Sequence, residues 1–572
     1  MTAESKKRIA IIGGGPSGLF MYKRLVESGK NNFEVEIFER KAQLGSGMPY
    51  SSEGSNYEHI TNVSGNEVPD IVTPISEWVH SAPLELLERF KIDPHKFNEY
   101  KVFPRLFFGE YLAAQFEMLI EAGSKAGISS EIHFESVVAD IKYDLNSNTV
   151  ELQTAEGQTK IFDSVVICTG HNWPRTHEGK IPGYYDAPYP PQKLVQKFNH
   201  AVAVKGSSLT AIDAVRTIAR NNGSFQSDKD GNLFFNLFPE SSEFKIMMHS
   251  RSGMLPAVRF HLEDSRLRSD ALLNSDEIED HRKNNNGFLS LDFVFEKNFK
   301  EIFRDKDYSF YERIRDLSIE EFVEEMMELR ERMDPFQLLK AEYAEAAKSI
   351  KRHESVYWKE MLGVLSFAMN HPAKYLSAED MQRLQKVLMP LISIVIAFVP
   401  QKSCEELLAL HHAGVLDLIS VGSDSTVEPQ LNGGIVYHFS DDDDKKHAVY
   451  YKTFIDCIGQ PHLQYNDFPF KSLLSQKAIS PARLKFKCSE AGHAAFMQNE
   501  DTVKKDEAGD YFMNVSGIAI NDNFQIIDQY GAYNKNLYIM AVPYIGGLNP
   551  DYSGLDFCEA ASERIIKSIL QD

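Results

Sequence analysis

Short apolar runs recur along the chain and predict strands whose two faces are both buried. Two of these runs occupy residues 9–12 and 33–38, and two more occupy residues 201–204 and 246–248. A segment with the apolar spacing of a helix lies within each pair. This alternation of strand and helix is typical of parallel sheets in α/β proteins. The pattern therefore predicts an α/β fold with two separate strand–helix–strand units.

Between about residues 262 and 415 the pattern changes to mostly helical spacing. The stretch SIEEFVEEMMELRERM at residues 318–333 gathers its apolar residues on one face, and we interpret its charges as a solvated outer face. The tract LMPLISIVIAFVP at residues 388–400 is bracketed by prolines and is shorter than the roughly 20 residues of a membrane span. Core packing is the better interpretation of that tract, and we expect a helical insertion here.

A glycine turn follows the first strand and predicts a dinucleotide site. Gly13 permits a tight turn, Gly15 leaves room for a pyrophosphate, and Gly18 lets the next helix lie close to the strand. The N-terminus of that helix would point its N–H groups at the phosphates. Glu39 follows the second strand at the distance where an acid accepts hydrogen bonds from an adenosine ribose. The alternative is a glycine turn without a ligand.

The second unit has a degenerate turn and predicts a different nucleotide. Gly206, Ser208 and Ala211 form a GxGxxA pattern in which serine takes the middle place. The following strand ends in Ser250 and Arg251, and an arginine at this point suits the 2′-phosphate of NADPH. The alternative for Arg251 is an ordinary solvated surface charge.

Two further apolar strands end in small residues of the kind that approach a bound dinucleotide. They are FDSVVICTGHNWP at residues 162–174, with Thr169 and Gly170, and KTFIDCIGQP at residues 452–461. One precedes the second unit and one follows it, which suits a nucleotide domain inserted into another. The stretch FESVVADIKY at residues 134–143 is expected to form an edge strand in which Val138 packs near an adenine.

Composition and charge narrow the function classes. The chain of 572 residues is 43% hydrophobic, and its net charge of -21 argues against non-specific binding to nucleic acid or to anionic membranes. Its five cysteines form no CxxC pair, which is typical of a reducing compartment without a disulfide framework. No signal peptide or metal-ligand spacing is visible, so we expect a cytoplasmic protein without a metal site.

Taken together, the motifs resemble the bacterial FAD/NAD(P)-binding flavoproteins that include an aspartate N-monooxygenase and an FAD-dependent urate hydroxylase. The resemblance rests on GGGPSG, GSGMPY, HITNVSG, FPRLFFGEYL, CTGHNWP, GSSLTAIDAV, SRSGMLP and NLYIMAVPYIGG. It covers both predicted nucleotide domains and the C-terminal segment, but not residues 265–395. It implies two Rossmann-like domains of the flavin monooxygenase type, with FAD in the first and NADPH in the second.

The resemblance also implies roles for individual residues. Gly45 and Gly47 would let the chain pass close to the flavin, with Met48 and Tyr50 lining it. Asn62 and Arg105 are the candidate catalytic residues; a turn cap and a structural salt bridge are their respective alternatives. Ala541 and Val542 stand where flavoproteins often have a Gly-Asp pair. The full set of predicted cofactor contacts is Gly13, Gly15, Pro16, Ser17, Gly18, Glu39, Arg40, Gly47, Met48, Val138, Thr169, Gly170, Gly206, Ser207, Ser208, Thr210, Ser250, Arg251, Gly547 and Leu555.

The expected domains are an FAD-binding domain in two parts (1–180 and 462–572), an NADPH-binding domain in two parts (181–261 and 416–461) and a helical insertion (262–415). The first functional hypothesis is an NADPH-dependent monooxygenase that hydroxylates a small substrate through a flavin hydroperoxide, with N-hydroxylation of an amine or amino acid as one option. The partners would be this substrate and dioxygen, with no nucleic acid and no membrane, and homo-oligomerisation is left open. Two alternatives are an FAD-dependent amine or amino-acid oxidase or dehydrogenase, and a non-catalytic FAD-binding sensor or scaffold.

Overall fold

The structure is a computed structural model that describes residues 6–263, 272–441, 443–461, 463–499, 501–551 and 554–571. The first third of the chain alternates strands with helices, as predicted. Its strands are β1 (Lys7–Ile12), β2 (Phe33–Phe38), β3 (Ile60–Ser64), β4 (Val102–Pro104), β5 (Ser129–His133), β6 (Val138–Asp144), β7 (Thr149–Thr154), β8 (Thr159–Phe162) and β9 (Ser164–Ile167). Its helices are α1 (Pro16–Glu27), α2 (Ile75–Trp78), α3 (Leu84–Phe90) and α4 (Arg105–Lys125).

The second strand–helix–strand unit follows, and after it the chain becomes helical. The unit contains β10 (Tyr184–Tyr185), β11 (Ala201–Lys205), α5 (Leu209–Asn222), β12 (Gly223–Ser227), β13 (Leu233–Leu237) and β14 (Lys245–Ser250). The helical region contains α6 (Ser275–Asn284), α7 (Leu291–Asn298), α8 (Phe303–Lys306), α9 (Tyr308–Ile314), α10 (Ile319–Arg332), α11 (Pro335–Arg352), α12 (Tyr357–Ala368), α13 (Ala378–Arg383), α14 (Met389–Val395) and α15 (Gln401–His412).

The last part of the chain returns to strands and ends in a long helix. It contains β15 (Leu416–Ser420), β16 (Thr426–Pro429), β17 (Ile435–Ser440), β18 (Lys446–Tyr451), β19 (Thr453–Asp456), α16 (Lys471–Ser475), β20 (Pro481–Lys485), α17 (Ser489–Gln498), β21 (Val503–Lys505), β22 (Tyr511–Ile518), β23 (Gln525–Ile527), β24 (Tyr533–Ile539) and α18 (Leu555–Gln571). None of the described helices is both long enough and apolar enough to cross a membrane.

Two sheets organise these elements. The first has the order β23-β24-β9-β1-β2-β5, and all of its pairs are parallel except β23 with β24. The second has the order β10-β19-β11-β14-β15 and is parallel throughout. Both arrangements place the unit's first strand in the centre, where a glycine turn leads into a helix. The predicted α/β class with two nucleotide-type sheets is therefore confirmed.

The edge strand expected at residues 134–143 is present, but it begins only at Val138. β6 begins at Val138 and pairs with β7 in a separate antiparallel sheet of three strands, β6-β7-β8. Its burial alternates as predicted, since Ile141 is buried while Asp140 is half-buried and Lys142 is exposed. Such alternation is typical of a sheet with one solvated face.

The helical region packs against the first sheet's domain on one side and the second sheet's on the other. Phe295, Leu365 and Leu391 share one buried cluster with Ile11 and Ile539 of the first sheet. By contrast, α15 packs against α5 and β13 in the second domain. The tract at residues 388–400 lies in the core as expected. The predicted domain boundaries stay a prediction, and the packing of α15 favours an end of the insertion before residue 401.

Candidate cofactor site

The first glycine turn lies at the carboxyl end of β1, with backbone geometry that only glycine adopts easily. Gly13 has a φ of +105°, and a Cβ on it would lie 2.6 Å from the carbonyl oxygen of Cys168 at the end of β9. A Cβ on Gly18 would lie 2.2 Å from the carbonyl oxygen of Gly13, so its absence lets α1 press against the turn. Gly15 is the N-cap of α1, and no side chain caps this helix end. The N–H groups of the first turn are therefore available to a phosphate.

A cavity of about 340 Å³ opens at this turn and gathers most of the residues predicted for the first cofactor. The predicted residues that line it are Gly13, Gly15, Pro16, Ser17, Glu39, Arg40, Gly47, Met48, Val138, Thr169, Gly170 and Leu555. Tyr50 and Val542, also considered from the sequence, line the cavity as well. These residues come from seven separate stretches of the chain, and those that follow β1, β2 and β9 meet because parallel strands end at the same edge of their sheet.

Gly15 and Gly47 approach each other across the cavity mouth. A Cβ on Gly15 would lie 3.1 Å from the Cα of Gly47, and Gly47 itself has a φ of +55°. A Cβ on Gly45, with a φ of +89°, would lie 2.5 Å from the carbonyl oxygen of Leu112. The 45–50 loop thus passes close to the turn only because these positions lack side chains.

Glu39 is buried beside the turn and accepts hydrogen bonds from the backbone. Its Oε2 accepts from the N–H of Gly14 at 2.7 Å, and its Oε1 accepts from the N–H of Lys41 at 2.9 Å. Each carboxylate oxygen has a second lone pair, so both can still accept from a hydroxyl group in the cavity. These backbone bonds hold the carboxylate in the position that a ribose diol requires.

Several lining residues were missed by the sequence reasoning. They are Lys41, Pro49, Ser136, Val137, His171, Asn172, Pro469, Phe470, Tyr544 and Cys558, among others in the loops that rim the cavity. Burial raises the pKa of Tyr50 to about 12 and lowers the pKa of His171. Both side chains are therefore uncharged near neutral pH. Loop residues such as these carry no periodic signal by which the sequence could have marked them.

The second unit repeats the construction of the first. Gly206 has a φ of +110°, and a Cβ on it would lie 2.8 Å from the carbonyl oxygen of Cys457 at the end of β19. Its N–H donates to the carbonyl oxygen of His249 at 2.7 Å, as the N–H of Gly13 donates to Phe38 at 2.8 Å. The turn with serine in the middle place thus has the same backbone framework as the GxGxxG turn.

The other residues predicted for the second nucleotide cluster around that turn. Ser208 is the uncapped N-cap of α5, and the hydroxyl of Ser207 donates to the carbonyl oxygen of Met254 at 2.7 Å. Thr210 hydrogen-bonds Tyr189. At the end of β14, Ser250 is nearly buried with a hydroxyl that lacks a partner among the described residues, and Arg251 is exposed. Within the described part of the chain, Arg251 forms no ion pair.

Hydrogen bonds join the loops that follow β9 and β19 and so connect the two units. The carbonyl oxygen of the Gln460 side chain accepts from the N–H of Asn172 at 2.9 Å, and its amide donates back to the Asn172 carbonyl oxygen at 2.8 Å. The indole N–H of Trp173 donates to the carbonyl oxygen of Gly459 at 2.8 Å. His171 and Asn172 also line the first cavity. The strand-end loop of the second unit is thereby bonded to the wall of the first site.

The two predicted catalytic residues lie outside the lining of the first cavity. The guanidinium of Arg105 pairs with the carboxylate of Asp213 on α5 at 2.6 Å and donates from Nε to the carbonyl oxygen of Ile60 at 3.0 Å. Asn62 is half-buried on β3, and its carbonyl oxygen accepts from the buried Arg259. Gly547, predicted as a cofactor contact, packs against Ser516 instead of lining the cavity. The roles of these three residues stay predictions.

Comparisons with known proteins agree with this geometry. Residues 10–172 match the family described as FAD-NAD(P)-binding, and residues 274–396 match the YdhS-like middle domain. Residues 10–172 therefore form an FAD-NAD(P)-binding domain. This match and the monooxygenase relatives confirm the sequence-based recognition of an FAD- and NAD(P)-binding flavoprotein, its enzyme class as an oxidoreductase, and its cofactors.

The similar proteins align with different fractions of this chain. YdhS of Escherichia coli (strain K12) is 27% identical over 475 residues, which is 82% of this chain and 86% of YdhS. The thiol-specific monooxygenase of Saccharomyces cerevisiae (strain ATCC 204508 / S288c) is 32% identical over 181 residues, which is 30% of this chain and 35% of that protein. Among solved structures, the reduced form of ornithine hydroxylase (PvdA) from Pseudomonas aeruginosa aligns with 9% identity over 99% of both chains, at a TM-score of 0.49.

The residues of the first cavity fit FAD. The uncapped N-terminus of α1 offers N–H groups to a pyrophosphate, and Glu39 is held ready for a ribose. The close approach of Gly15 to Gly47 leaves no room for a side chain at the phosphate position. The uncharged Tyr50 and His171, together with Val542, provide a largely apolar wall of the kind that a planar ring system needs.

Proposed function

We propose that this flavoprotein is an FAD- and NADPH-dependent monooxygenase that hydroxylates a small substrate. The observation that carries the proposal is the matching construction of the two turns, in which Gly13 lies under the Cys168 carbonyl and Gly206 under the Cys457 carbonyl. The second turn has the same backbone geometry as the first, including a positive φ at its first glycine, Gly206. This favours a second unit that still binds a nucleotide. The yeast thiol-specific monooxygenase and the flavin-containing monooxygenase 5 of Cavia porcellus, 27% identical over 180 residues, support the reaction class.

Each unit has a separate task in this proposal. When bound, FAD would supply the redox chemistry by accepting a hydride and delivering electrons to dioxygen. The first turn and Glu39 bind and orient this cofactor, and Arg251 reads the 2′-phosphate of NADPH. The two hydrogen bonds between the Gln460 side chain and the Asn172 backbone fix the relative position of the two sites. The half-buried, uncharged Tyr50 and His171 help to exclude water from the flavin wall without adding charge to it.

Among substrates, we place amines and amino acids first, with N-hydroxylation as the reaction. Thiols form a second class because the yeast relative, which matches about a third of its own length, is thiol-specific. An oxidase that takes electrons from an amine is the competing function. The oxidase is favoured only by Ser208, which replaces the middle glycine of the nucleotide-binding pattern. The backbone geometry at Gly206, which matches that of Gly13, argues against the oxidase.

Product mass distinguishes these functions. The FAD-loaded protein is incubated with NADPH, dioxygen and a panel of diamines, amino acids and thiols, and each product is analysed by mass spectrometry. A monooxygenase gives NADPH consumption that depends on the substrate and a product heavier by one oxygen atom, which derives from labelled dioxygen. Products that have lost hydrogen without gaining oxygen, formed without NADPH, would establish the oxidase instead.

A further inference from the structure

A second cavity of about 310 Å³ lies between the helical region and the C-terminal segment. The helical region contributes Ile278, Asn298, Phe367, His371 and Lys374 to its wall, and the C-terminal segment contributes Asp522, Phe524, Asn549, Phe557 and Arg564. The first group lies within the match to the YdhS-like middle domain. The cavity therefore exists only where that region packs on the flavin domain, and its volume is close to that of the first cavity.

The charged groups of this second cavity leave one positive charge in excess. The ammonium of Lys374, whose side chain is 10% exposed, pairs with the carboxylate of Asp522 at 2.8 Å. Arg564 lines the same cavity and forms no ion pair with any carboxylate among the described residues. Burial lowers the pKa of His371 to about 4, so its imidazole contributes no charge at neutral pH. A half-buried guanidinium beside a partly buried ion pair is an arrangement that attracts an anion.

A buried polar group without a partner also faces the cavity. Asn549 is 1% exposed, and its amide donates to the carbonyl oxygen of Ile545 at 3.3 Å. Its own side-chain carbonyl oxygen has no hydrogen-bond partner in the described part of the chain. Buried polar atoms are rarely left in this state, because their desolvation is then not compensated by a hydrogen bond. This oxygen and the charge of Arg564 are two independent indications of a missing ligand.

Apart from Asn274, Ser275, Asn298 and Asn370, the remaining wall is apolar, and this favours one class of ligand. Phe367, Phe524 and Phe557 surround the polar groups. A ligand must therefore combine an apolar body with one negative charge. A carboxylate meets Arg564 with two parallel hydrogen bonds and balances the single excess charge, whereas the dianion of a phosphate monoester would leave one charge uncompensated.

We propose that this second cavity binds a small organic carboxylate with an apolar body, held by Arg564 and Lys374. The site is separate from the flavin cavity but shares a helix with it. Phe557 and Arg564 of α18 line the second cavity, while Leu555 and Cys558 of the same helix line the first. Helix α18 therefore separates a carboxylate bound to Arg564 from the flavin cavity. This site does not depend on the proposed monooxygenase reaction.

The test is calorimetric titration of the full-length, FAD-loaded protein with phenylacetate, with its neutral isostere phenylacetamide and with phenyl phosphate. We expect saturable binding of phenylacetate with a Kd at or below about 1 mM, and affinities at least about tenfold weaker for the other two ligands. Arg564→Gln should weaken phenylacetate by about tenfold or more, since it removes the charge-assisted bonds. Lys567→Gln is the matched control, because Lys567 is exposed on the same helix and pairs only with Glu563 in the described structure.

The outcomes separate the possibilities clearly. Unchanged affinity in Arg564→Gln, with the flavin content of the wild type, would place the ligand elsewhere and overturn the proposal. Equal binding of phenylacetamide, tighter binding of phenyl phosphate, or no saturable binding of phenylacetate would overturn it as well. Because binding is measured without turnover, a protein that lacks monooxygenase activity can still pass or fail this test.

Discussion

The guanidinium of Arg105 lies 2.6 Å from the carboxylate of Asp213 and joins the flavin domain to the second nucleotide unit. Arg105 begins α4, and Asp213 lies in the first turns of α5, so the ion pair links the two helices. Both side chains are largely buried, at 15% and 8% exposure. Burial alone would lower the pKa of Arg105, but Asp213, together with the nearby Tyr189 and Tyr50, outweighs this and raises it. The pair therefore stays ionised and positions one unit against the other.

Breaking this pair separates a positioning role from the predicted catalytic role. Arg105→Met should destabilise the protein by about 3–5 kcal/mol, because it leaves the buried carboxylate of Asp213 without a partner. The double variant Arg105→Met/Asp213→Leu should recover most of that loss. Chemical denaturation measures both, and Arg89→Met, at an exposed arginine of α3, is the control.

The double variant also decides between the two roles. If Arg105 acts only by positioning, the double variant should bind FAD and be reduced by NADPH at close to the wild-type rate. Restored stability combined with a reduction rate lowered by about a hundredfold or more would instead support the catalytic role.

Gly15→Val should abolish FAD binding. A Cβ at position 15 would already lie 3.1 Å from the Cα of Gly47, so the larger valine side chain would collide with this atom. The side chain would also occupy the phosphate position. The flavin content of the purified protein is read from its visible absorbance. Gly157→Val is the control, because Gly157 has a φ of +85° and nothing within 4 Å of its Cβ position. That variant suffers backbone strain without touching the cavity, and a normal flavin content in Gly15→Val would refute the assignment of this turn.

Arg251→Ala should reduce the preference for NADPH over NADH. Charge-assisted hydrogen bonds to the 2′-phosphate contribute about 1.5–3 kcal/mol, so the KM for NADPH should rise by about one to two orders of magnitude. NADH has only a hydroxyl at that position, and its KM should change little. Steady-state kinetics with both nucleotides measure the effect, with Lys245→Ala at the exposed opposite end of β14 as the control. Equal losses for both nucleotides would show that Arg251 does not read the phosphate.

His249 should make the stability of the second domain dependent on pH. Its ring is 1% exposed and stacks on Tyr437 with the ring centres 4.2 Å apart, and burial lowers its pKa to about 4. Between the two pKa values this histidine binds a proton in the unfolded chain but not in the folded chain. Its contribution to the free energy of unfolding is therefore fully present above the unfolded pKa of about 6.5 and is lost as the pH falls towards 4.

Between about pH 7 and about pH 5 this single histidine should contribute a loss of about 2 kcal/mol. Urea unfolding at both pH values measures the loss, and His249→Phe should reduce it while keeping the ring stack with Tyr437. His412→Phe, at an exposed histidine of α15, should leave the pH dependence as it is in the wild type. The same pH dependence in wild type and His249→Phe would contradict the account.

The sequence was sufficient for the strand–helix–strand unit of each sheet because the signals of these units are local. The apolar run of β1, the turn at Gly13 and the helix α1 are consecutive in the chain, and the rules for parallel sheets then bring Glu39 and Thr169 to the same edge. The same reasoning predicted the second turn at Gly206 despite its unusual serine.

The remaining features depend on contacts between distant segments. Nothing near Arg105 in the chain indicates that Asp213 is its partner, and no periodicity marks His171 or Tyr544 as lining residues. The second cavity forms only where the helical region meets the C-terminal segment, so a carboxylate ligand for Arg564 could not be inferred from the local pattern of α18.

Anaerobic mixing of NADPH with the FAD-loaded protein tests the central claim most directly. If the two units hold the two nucleotides and pass a hydride between them, the visible absorbance of the flavin should disappear rapidly with NADPH and much more slowly with NADH. A flavin that stays oxidised with both nucleotides, yet loses its colour with an amine alone, would contradict the account and establish an oxidase.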